Sequence, residues 1–114
     1  MISFQKLDVY QRSIEFVSHS REIMRHIPRG HADLVDQLRR SAQSIPQNIA
    51  EGVGKVSRLD KGKFLSIARG SAMESAAHLD VMRIDGLVDE PSYQKGVELL
   101  ERVISMLTKM LDIG

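Results

Sequence analysis

The chain is 114 residues long, is 42% hydrophobic, contains no cysteine and carries a formal net charge of +1 at pH 7. This length predicts a single domain, residues 1–114, with a small core, and the lack of cysteine excludes disulfides and thiolate metal sites. The N-terminus lacks an apolar signal segment and no run approaches the roughly 20 apolar residues of a membrane span, so we expect a cytoplasmic protein with no membrane partner.

The first helix is predicted from Asp8 to His26 or Ile27, where Pro28 and Gly30 end it. Its primary apolar stripe comprises Leu7, Tyr10, Ile14, Val17 and Met24. A second apolar line, at seven-residue spacing, comprises Val9, Phe16 and Ile23. Together they make the apolar face wider than one neighbouring helix would cover. Two neighbours within one bundle, or a contact between subunits, would account for this width.

The second helix is predicted to begin at Ala32 or Asp33 and to end at the glycines of residues 52–54. Pro46 lies inside it and removes one backbone hydrogen bond, so a bend is expected there. The apolar stripe of this helix comprises Leu34, Leu38, Ala42, Ile45 and Ile49. A polar stripe on the flank next to it comprises Gln37, Arg40, Ser44, Asn48 and Glu51.

Polar side chains beside a core need partners if a second helix or a second subunit covers them. We therefore predict a covered polar network of Arg40, Asn48, Glu51 and Glu74 where the second and third helices, or two subunits, meet. In such a network, replacing Glu51 with alanine would cost about 3 kcal/mol, the scale for stranding buried charges. The alternative is that these are boundary residues in contact with water.

Ser57, with Asp60 three residues on, predicts the start of a third helix that ends near Ile84, with Gly86 as its terminator. The interior of this helix is rich in small residues, which let helix axes approach closely. Because glycine inside a helix costs about 1 kcal/mol relative to alanine, Gly70 is expected to have a packing reason.

Asp89, Glu90 and Pro91 predict the cap and first turn of a fourth helix. Its heptad stripe comprises Tyr93, Val97, Leu100, Ile104, Leu107 and Leu111. No segment alternates with period two, and no hairpin signal occurs between strand-like runs. The sequence therefore predicts an all-α protein, an antiparallel up-and-down four-helix bundle with short connections.

Catalytic and metal-binding patterns are missing from the sequence. The four histidines are His19, His26, His31 and His78. No two of them share a predicted helix at the three- or four-residue spacing that points both rings at one ion, and no Glu-x-x-His or Gly-x-Ser-x-Gly motif occurs. We expect no catalytic residue, no metal, no cofactor and no small-molecule substrate.

Three segments carry a family resemblance. They are FQKLDVYQRS at residues 4–13, QLRRSAQSIPQNIAEGVGK at residues 37–55 and FLSIARGSAMES at residues 64–75. These segments resemble the bacterial four-helix-bundle proteins encoded in intervening sequences of 23S ribosomal RNA genes. The resemblance implies a small all-helical subunit, a homopentamer, and relatives that bind nucleic acid as retroelement accessory proteins. It implies no catalytic activity.

Charge is unevenly distributed along the chain. Residues 37–70 contain seven basic and two acidic side chains, and residues 84–114 contain three basic and six acidic ones. Together with the resemblance, this basic segment favours a non-enzymatic oligomer that binds RNA or DNA weakly and without sequence specificity. The predicted contacts are Arg39, Lys55, Arg58, Lys61, Lys63 and Arg69. In the alternative, the protein is an interaction scaffold whose charges serve homo-oligomer assembly only.

Overall fold

The structure, a computed structural model, describes residues 1–113 as four α-helices that follow a short 3₁₀ helix at Ser3–Lys6. The helices are α1 at Asp8–Arg25, α2 at Ala32–Val53, α3 at Arg58–Ile84 and α4 at Glu90–Met110. The four predicted helices are confirmed, and no described residue lies in a strand. None of the described helices is both long and apolar enough to cross a membrane.

The helices form the predicted antiparallel up-and-down bundle. Each helix packs against the next one in the chain, and α4 returns to pack against α1. Consequently α1 and α3 run in the same direction at opposite corners of the bundle, while α2 and α4 occupy the other two corners. The turn between α2 and α3 lies at the end of the bundle where α1 begins and α4 finishes.

Side-chain caps fix the starts of α3 and α4 as predicted. The Ser57 hydroxyl accepts a hydrogen bond from the Asp60 amide at 3.1 Å, and the Asp89 carboxylate accepts one from the Ser92 amide at 2.8 Å. The hydrogen bond from the Ser92 amide lowers the pKa of the Asp89 carboxyl below its usual value, because it stabilises the ionised form. Gly86 ends α3 in a left-handed conformation, with φ of 70°.

The rotation of α1 differs from the prediction. Its core face is the second predicted line, Val9, Phe16 and Ile23, all of which are buried. Leu7 and Ile14 belong to the predicted primary stripe but are 37% and 40% exposed, so their assignment to the core is wrong. Tyr10 and Val17 are half-buried beside the core, and Met24 is buried.

Two serines complete the core line of α1 and explain the difference. Ser13 and Ser20 are fully buried and alternate with the apolar residues at four- and three-residue spacing. Their hydroxyls donate hydrogen bonds to the carbonyls of Tyr10 and Val17, at 2.6 and 2.8 Å. Because these bonds lie within α1 itself, both serines enter the core without needing a partner from another helix.

The core face of α4 is also shifted from the predicted heptad. Leu100 and Leu107 are buried as predicted, but Leu99 and Val103 are buried with them. The remaining predicted positions, Tyr93, Val97, Ile104 and Leu111, are half-buried at the edge of the core. The centre of this face therefore lies between two of the predicted positions rather than on them.

Gly96 lies where α4 packs closely against its neighbours. A Cβ atom at this position would lie 2.8 Å from Cδ1 of Leu79 on α3 and 3.7 Å from Cε1 of Phe16 on α1. Leu79 and Phe16 are both fully buried, so neither can move aside freely. In contrast, a Cβ at Gly70 would meet nothing within 4 Å, so packing within the chain does not explain that glycine.

We predict that Gly96→Ala destabilises the bundle by about 1 to 3 kcal/mol, because the added methyl group overpacks the core. Gly62→Ala is the matched control, since its Cβ would meet Cδ2 of Leu111 at an ordinary 4.0 Å. The control should leave the free energy of unfolding unchanged or raise it by up to about 1 kcal/mol. Urea unfolding followed by circular dichroism measures both variants, and equal stabilities would contradict this account of the packing.

Candidate nucleic-acid interface

The turn at residues 54–57 brings four of the six predicted nucleic-acid contacts to one end of the bundle. α2 ends at Val53 and α3 begins at Arg58, so cations on both sides of the turn lie close in space. We call this group the basic end; it consists of Lys55, Arg58, Lys61 and Lys63. Arg58, Lys61 and Lys63 are exposed, and Lys55 is half-exposed.

Phe64 organises two of these cations. The Nζ atom of Lys55 lies 5.1 Å from the centroid of the Phe64 ring, and the Nζ atom of Lys63 lies 5.7 Å from it. An aromatic face attracts cations at such distances, so the ring holds ammonium groups from α2 and α3 near each other. Lys55 also forms an ion pair with Glu51 at 3.3 Å, which offsets part of its charge.

Three cations of the basic end have no anionic partner. Among residues 1–113, no carboxylate lies within 4.0 Å of the charged nitrogen atoms of Arg58, Lys61 or Lys63. Arg58 and Lys61 lie in the first turn of α3, where the helix dipole adds positive potential and the Asp60 carboxylate offsets part of it. Since the three cations are exposed and form no ion pair, this region can accept an anionic partner.

The other two predicted contacts lie elsewhere. Arg69 is half-buried, and its Nε donates a hydrogen bond to the Thr108 hydroxyl at 2.9 Å, which links α3 to α4. Arg39 is exposed and lies about 21 Å along α2 from Val53, given the rise of about 1.5 Å per residue. There it lines a groove between α1 and α2 that Arg21 and Arg25 also line.

The four residues of the predicted polar network each find a partner within their own helix. Arg40 pairs with Asp36 at 3.2 Å, Glu51 with Lys55, and Glu74 with His78 at 3.2 Å. Asn48 donates hydrogen bonds to the carbonyl and the hydroxyl of Ser44, at 2.8 and 2.9 Å. Within residues 1–113 no hydrogen bond or ion pair joins the four to one another, so a network between subunits stays a prediction.

Serines, rather than charged residues, occupy the contact between α2 and α3. The hydroxyls of Ser41 and Ser75 lie 2.8 Å apart, and those of Ser44 and Ser71 lie 2.7 Å apart. We call these four residues the serine seam. Ser44 belongs to the predicted polar stripe, and Ser71 and Ser75 belong to the small residues predicted to let the third helix approach its neighbours closely. Ser41 gives no signal in the sequence, because serine at a single position is equally typical of a surface or a helix cap.

Comparison with known proteins identifies the family of this chain and supports its fold. The sequence profile of the 23S rRNA-intervening sequence protein family matches residues 5–109. The chain belongs to this family. No match was found among curated proteins. A solved structure from Bacteroides thetaiotaomicron, a protein of unknown function from the S23 ribosomal protein family, is 22% identical and superposes with a TM-score of 0.83, covering 90% of this chain and 97% of that one. That likeness supports the four-helix fold.

Three of the four histidines of this family member, His19, His26 and His78, have polar contacts in the structure. Nε2 of His19 lies 2.7 Å from the carbonyl oxygen of Ser92, which links α1 to the first turn of α4. His26 and His78 each lie near a glutamate one turn earlier in the same helix. Among the residues that the structure describes, no group of three or more acidic or histidine side chains is placed to hold a metal ion.

We predict that Glu51→Ala lowers the free energy of unfolding by less than about 1 kcal/mol, because Glu51 forms an exposed ion pair with Lys55. Its side chain is 57% exposed in the single chain. Chemical denaturation of the variant and the natural protein at equal concentration measures this difference. A loss near 3 kcal/mol would contradict the surface-pair account and would place Glu51 in a covered contact between subunits.

Proposed function

We propose that this member of the 23S rRNA-intervening sequence protein family is a non-enzymatic, oligomeric, cytoplasmic protein that binds RNA or DNA weakly and without sequence specificity. The observation that supports this most is the basic end, where Arg58, Lys61 and Lys63 are exposed and lack a carboxylate partner among residues 1–113. Lys55 adds a fourth cation, and the Phe64 ring holds its ammonium group near that of Lys63.

The chemistry of the basic end suits phosphate groups rather than base edges. Lysine and arginine that neutralise phosphates release condensed counterions, which favours binding to any sequence. Sequence reading requires side chains that enter a groove and pair with base edges, and the sequence carries no such motif. Three or four cations on one subunit contact only a few phosphates, so a single copy binds feebly.

Assembly into an oligomer would strengthen this weak binding. We propose a homo-oligomer, a ring of five as the family resemblance implies, in which each copy contributes one basic end. Simultaneous engagement of several copies raises the apparent affinity by about 100-fold or more when the geometry allows it. RNA and DNA both offer the phosphate backbone, so both are included in the proposal.

A second candidate function is supported by a different observation. Several large apolar side chains on the outer surface of α3 are exposed, among them Ile67, Met73, Val81 and Ile84. Exposed apolar surface of this kind favours contact with another protein. In this scaffold hypothesis, the polar and charged surfaces serve homo-oligomer assembly alone, and the basic end only maintains solubility.

We predict that the natural protein retains RNA, single-stranded DNA and duplex DNA on a filter at low salt, and that retention falls steeply as salt rises. The double variant Arg58→Glu/Lys63→Glu removes two phosphate contacts from each subunit. Each lost contact should reduce the slope of log affinity against log salt by about 0.9 for duplex DNA. The reduction should be the same for unrelated sequences, because no base is read.

The matched control is Arg29→Glu/Lys95→Glu, which makes the same change in net charge at exposed positions away from the basic end. Its salt dependence should equal that of the natural protein. If the control lowers the slope as much as Arg58→Glu/Lys63→Glu does, binding depends on net charge rather than on the basic end. If the natural protein retains no nucleic acid at low salt, the scaffold hypothesis replaces the proposal.

A further inference from the structure

A groove opens beside the basic end, between the first turns of α3 and the residues that follow α4. Three apolar side chains line it, namely those of Leu59, Leu111 and Ile113. The two sides of the groove meet at Gly62, where a Cβ atom would lie 4.0 Å from Cδ2 of Leu111. The groove is open to solvent and has a volume of about 850 Å³, which is within the range of ligand-binding clefts.

The apolar side chains of this groove are in contact with solvent. Leu59 is 85% exposed and Ile113 is 49% exposed, while Leu111 is half-buried at the edge of the core. Covering these side chains with another apolar surface would remove both surfaces from water, which stabilises such a contact. The groove is therefore suited to an occupant that has an apolar face.

Cations line the same groove. Arg58 and Lys63, two members of the basic end, both contribute to its walls. Both are exposed, and neither has a carboxylate within 4.0 Å of its charged nitrogen atoms among residues 1–113. The cations of the proposed function and the apolar groove are therefore adjacent. One molecule that carries an anionic group next to an apolar face can contact both.

Two polar side chains of the groove, Asp60 and Ser66, narrow the choice of occupant. Both are exposed and line the groove. Within residues 1–113 neither side chain forms a hydrogen bond or an ion pair. An ionised carboxylate only accepts hydrogen bonds, so Asp60 favours an occupant with N–H or O–H donors. A fatty acyl chain brings no such donor, and a phosphate group alone would leave the apolar side chains uncovered, so neither suits the whole groove.

An unpaired nucleotide carries all three features that the groove requires. Its phosphate can pair with Arg58 or Lys63, and the face of its base can cover Leu59. Every nucleobase has at least one N–H donor on its Watson–Crick edge, so Asp60 can accept a hydrogen bond from any of them. In a duplex these donors are used in base pairing and the base faces are stacked. A duplex therefore offers such a groove only its phosphate groups.

We propose that this groove holds an unpaired base of a single strand whose phosphate groups contact the basic end. The inference rests on the proposed function and names its substrate class, single-stranded RNA or DNA. It requires no particular base sequence, because base faces and N–H donors are common to every nucleotide. Aromatic rings usually provide this surface in single-strand binders. Aliphatic side chains also contact base faces but over a smaller area, so we expect the base to raise the affinity by about three- to tenfold.

Fluorescence anisotropy at low salt tests the base contact with three labelled probes: a single-stranded DNA of mixed sequence, its duplex, and a strand of equal length in which abasic residues replace every nucleotide. The abasic strand keeps the phosphate groups but has no bases. The natural protein should bind the mixed-sequence strand about three- to tenfold more tightly than the abasic strand. Equal affinities for these two strands overturn the inference and leave the proposed function intact. A lack of binding to all three probes overturns the proposed function, and the inference with it.

The variant Leu59→Ser removes the most exposed of the three apolar side chains of the groove. It should lower the affinity for the mixed-sequence strand to that for the abasic strand and leave duplex binding unchanged. Ile84→Ser is the matched control, because Ile84 also lies on α3 and is also 85% exposed. It is about 38 Å along the helix from Leu59, given the rise of about 1.5 Å per residue. The control should bind all three probes as the natural protein does.

Light scattering and circular dichroism establish that both variants keep the mass and the helical content of the natural protein. With these unchanged, an equal loss of affinity for all three probes in Leu59→Ser overturns the inference, because the loss then does not depend on a base. The same loss of affinity for the mixed-sequence strand in Ile84→Ser also overturns it, since that residue lies outside the groove.

Asp60→Asn tests where the edge of the base lies. Removing this negative charge favours the binding of any phosphate backbone, so the affinities for the abasic strand and the duplex should rise. The mixed-sequence strand should gain less, because an amide carbonyl is a weaker acceptor for the base N–H than a carboxylate is. Equal gains for all three probes overturn the inference that a base edge meets Asp60.

Discussion

Close approach between helices, made possible by small side chains, is the constraint on which the rest of the structure depends. Between α2 and α3 the hydroxyls of Ser41 and Ser75 meet at 2.8 Å, and both residues are buried. Between α4 and α3, Gly96 leaves no room for a methyl group, because a Cβ atom there would lie 2.8 Å from Cδ1 of Leu79. Larger residues at these positions would push the helix axes apart, and unpaired hydroxyls would incur a desolvation cost. The positions that define the bundle are therefore not its largest apolar side chains.

This packing determines which side chains remain exposed and can contact partners. With buried serines completing the core line of α1, Leu7 and Ile14 turn outward, and α3 presents Gly70 to solvent. The short turn at residues 54–57 sets the basic end beyond the core, where its charges meet water. The proposed function uses these two remaining surfaces separately, with cations for phosphate groups and apolar helix faces for further copies.

Much of the fold could be predicted from the sequence, because local signals mark helix ends and these signals act within a few residues. Ser57 and Asp89 cap their helices as predicted. The rotation of α1 could not be predicted from apolar periodicity, since Ser13 and Ser20 enter the core through hydrogen bonds within their own helix. The clustering of the basic end follows from one short turn, whereas the bond of Arg69 to α4 depends on the distance between two helices, which sequence spacing does not determine.

The central claim is that the basic end contacts phosphate groups. The most direct test is the reactivity of individual lysines in the presence of nucleic acid. Amine acetylation of the assembled protein, followed by mass spectrometry with and without a single-stranded DNA oligonucleotide, reports each lysine separately. We predict that DNA at low salt slows modification of Lys61 and Lys63 but does not change the modification rate of Lys95, an exposed residue at the start of α4. At high salt this protection of Lys61 and Lys63 should disappear. Equal protection of Lys95, or no protection of Lys61 and Lys63 by DNA that is shown to be bound, would contradict the central claim.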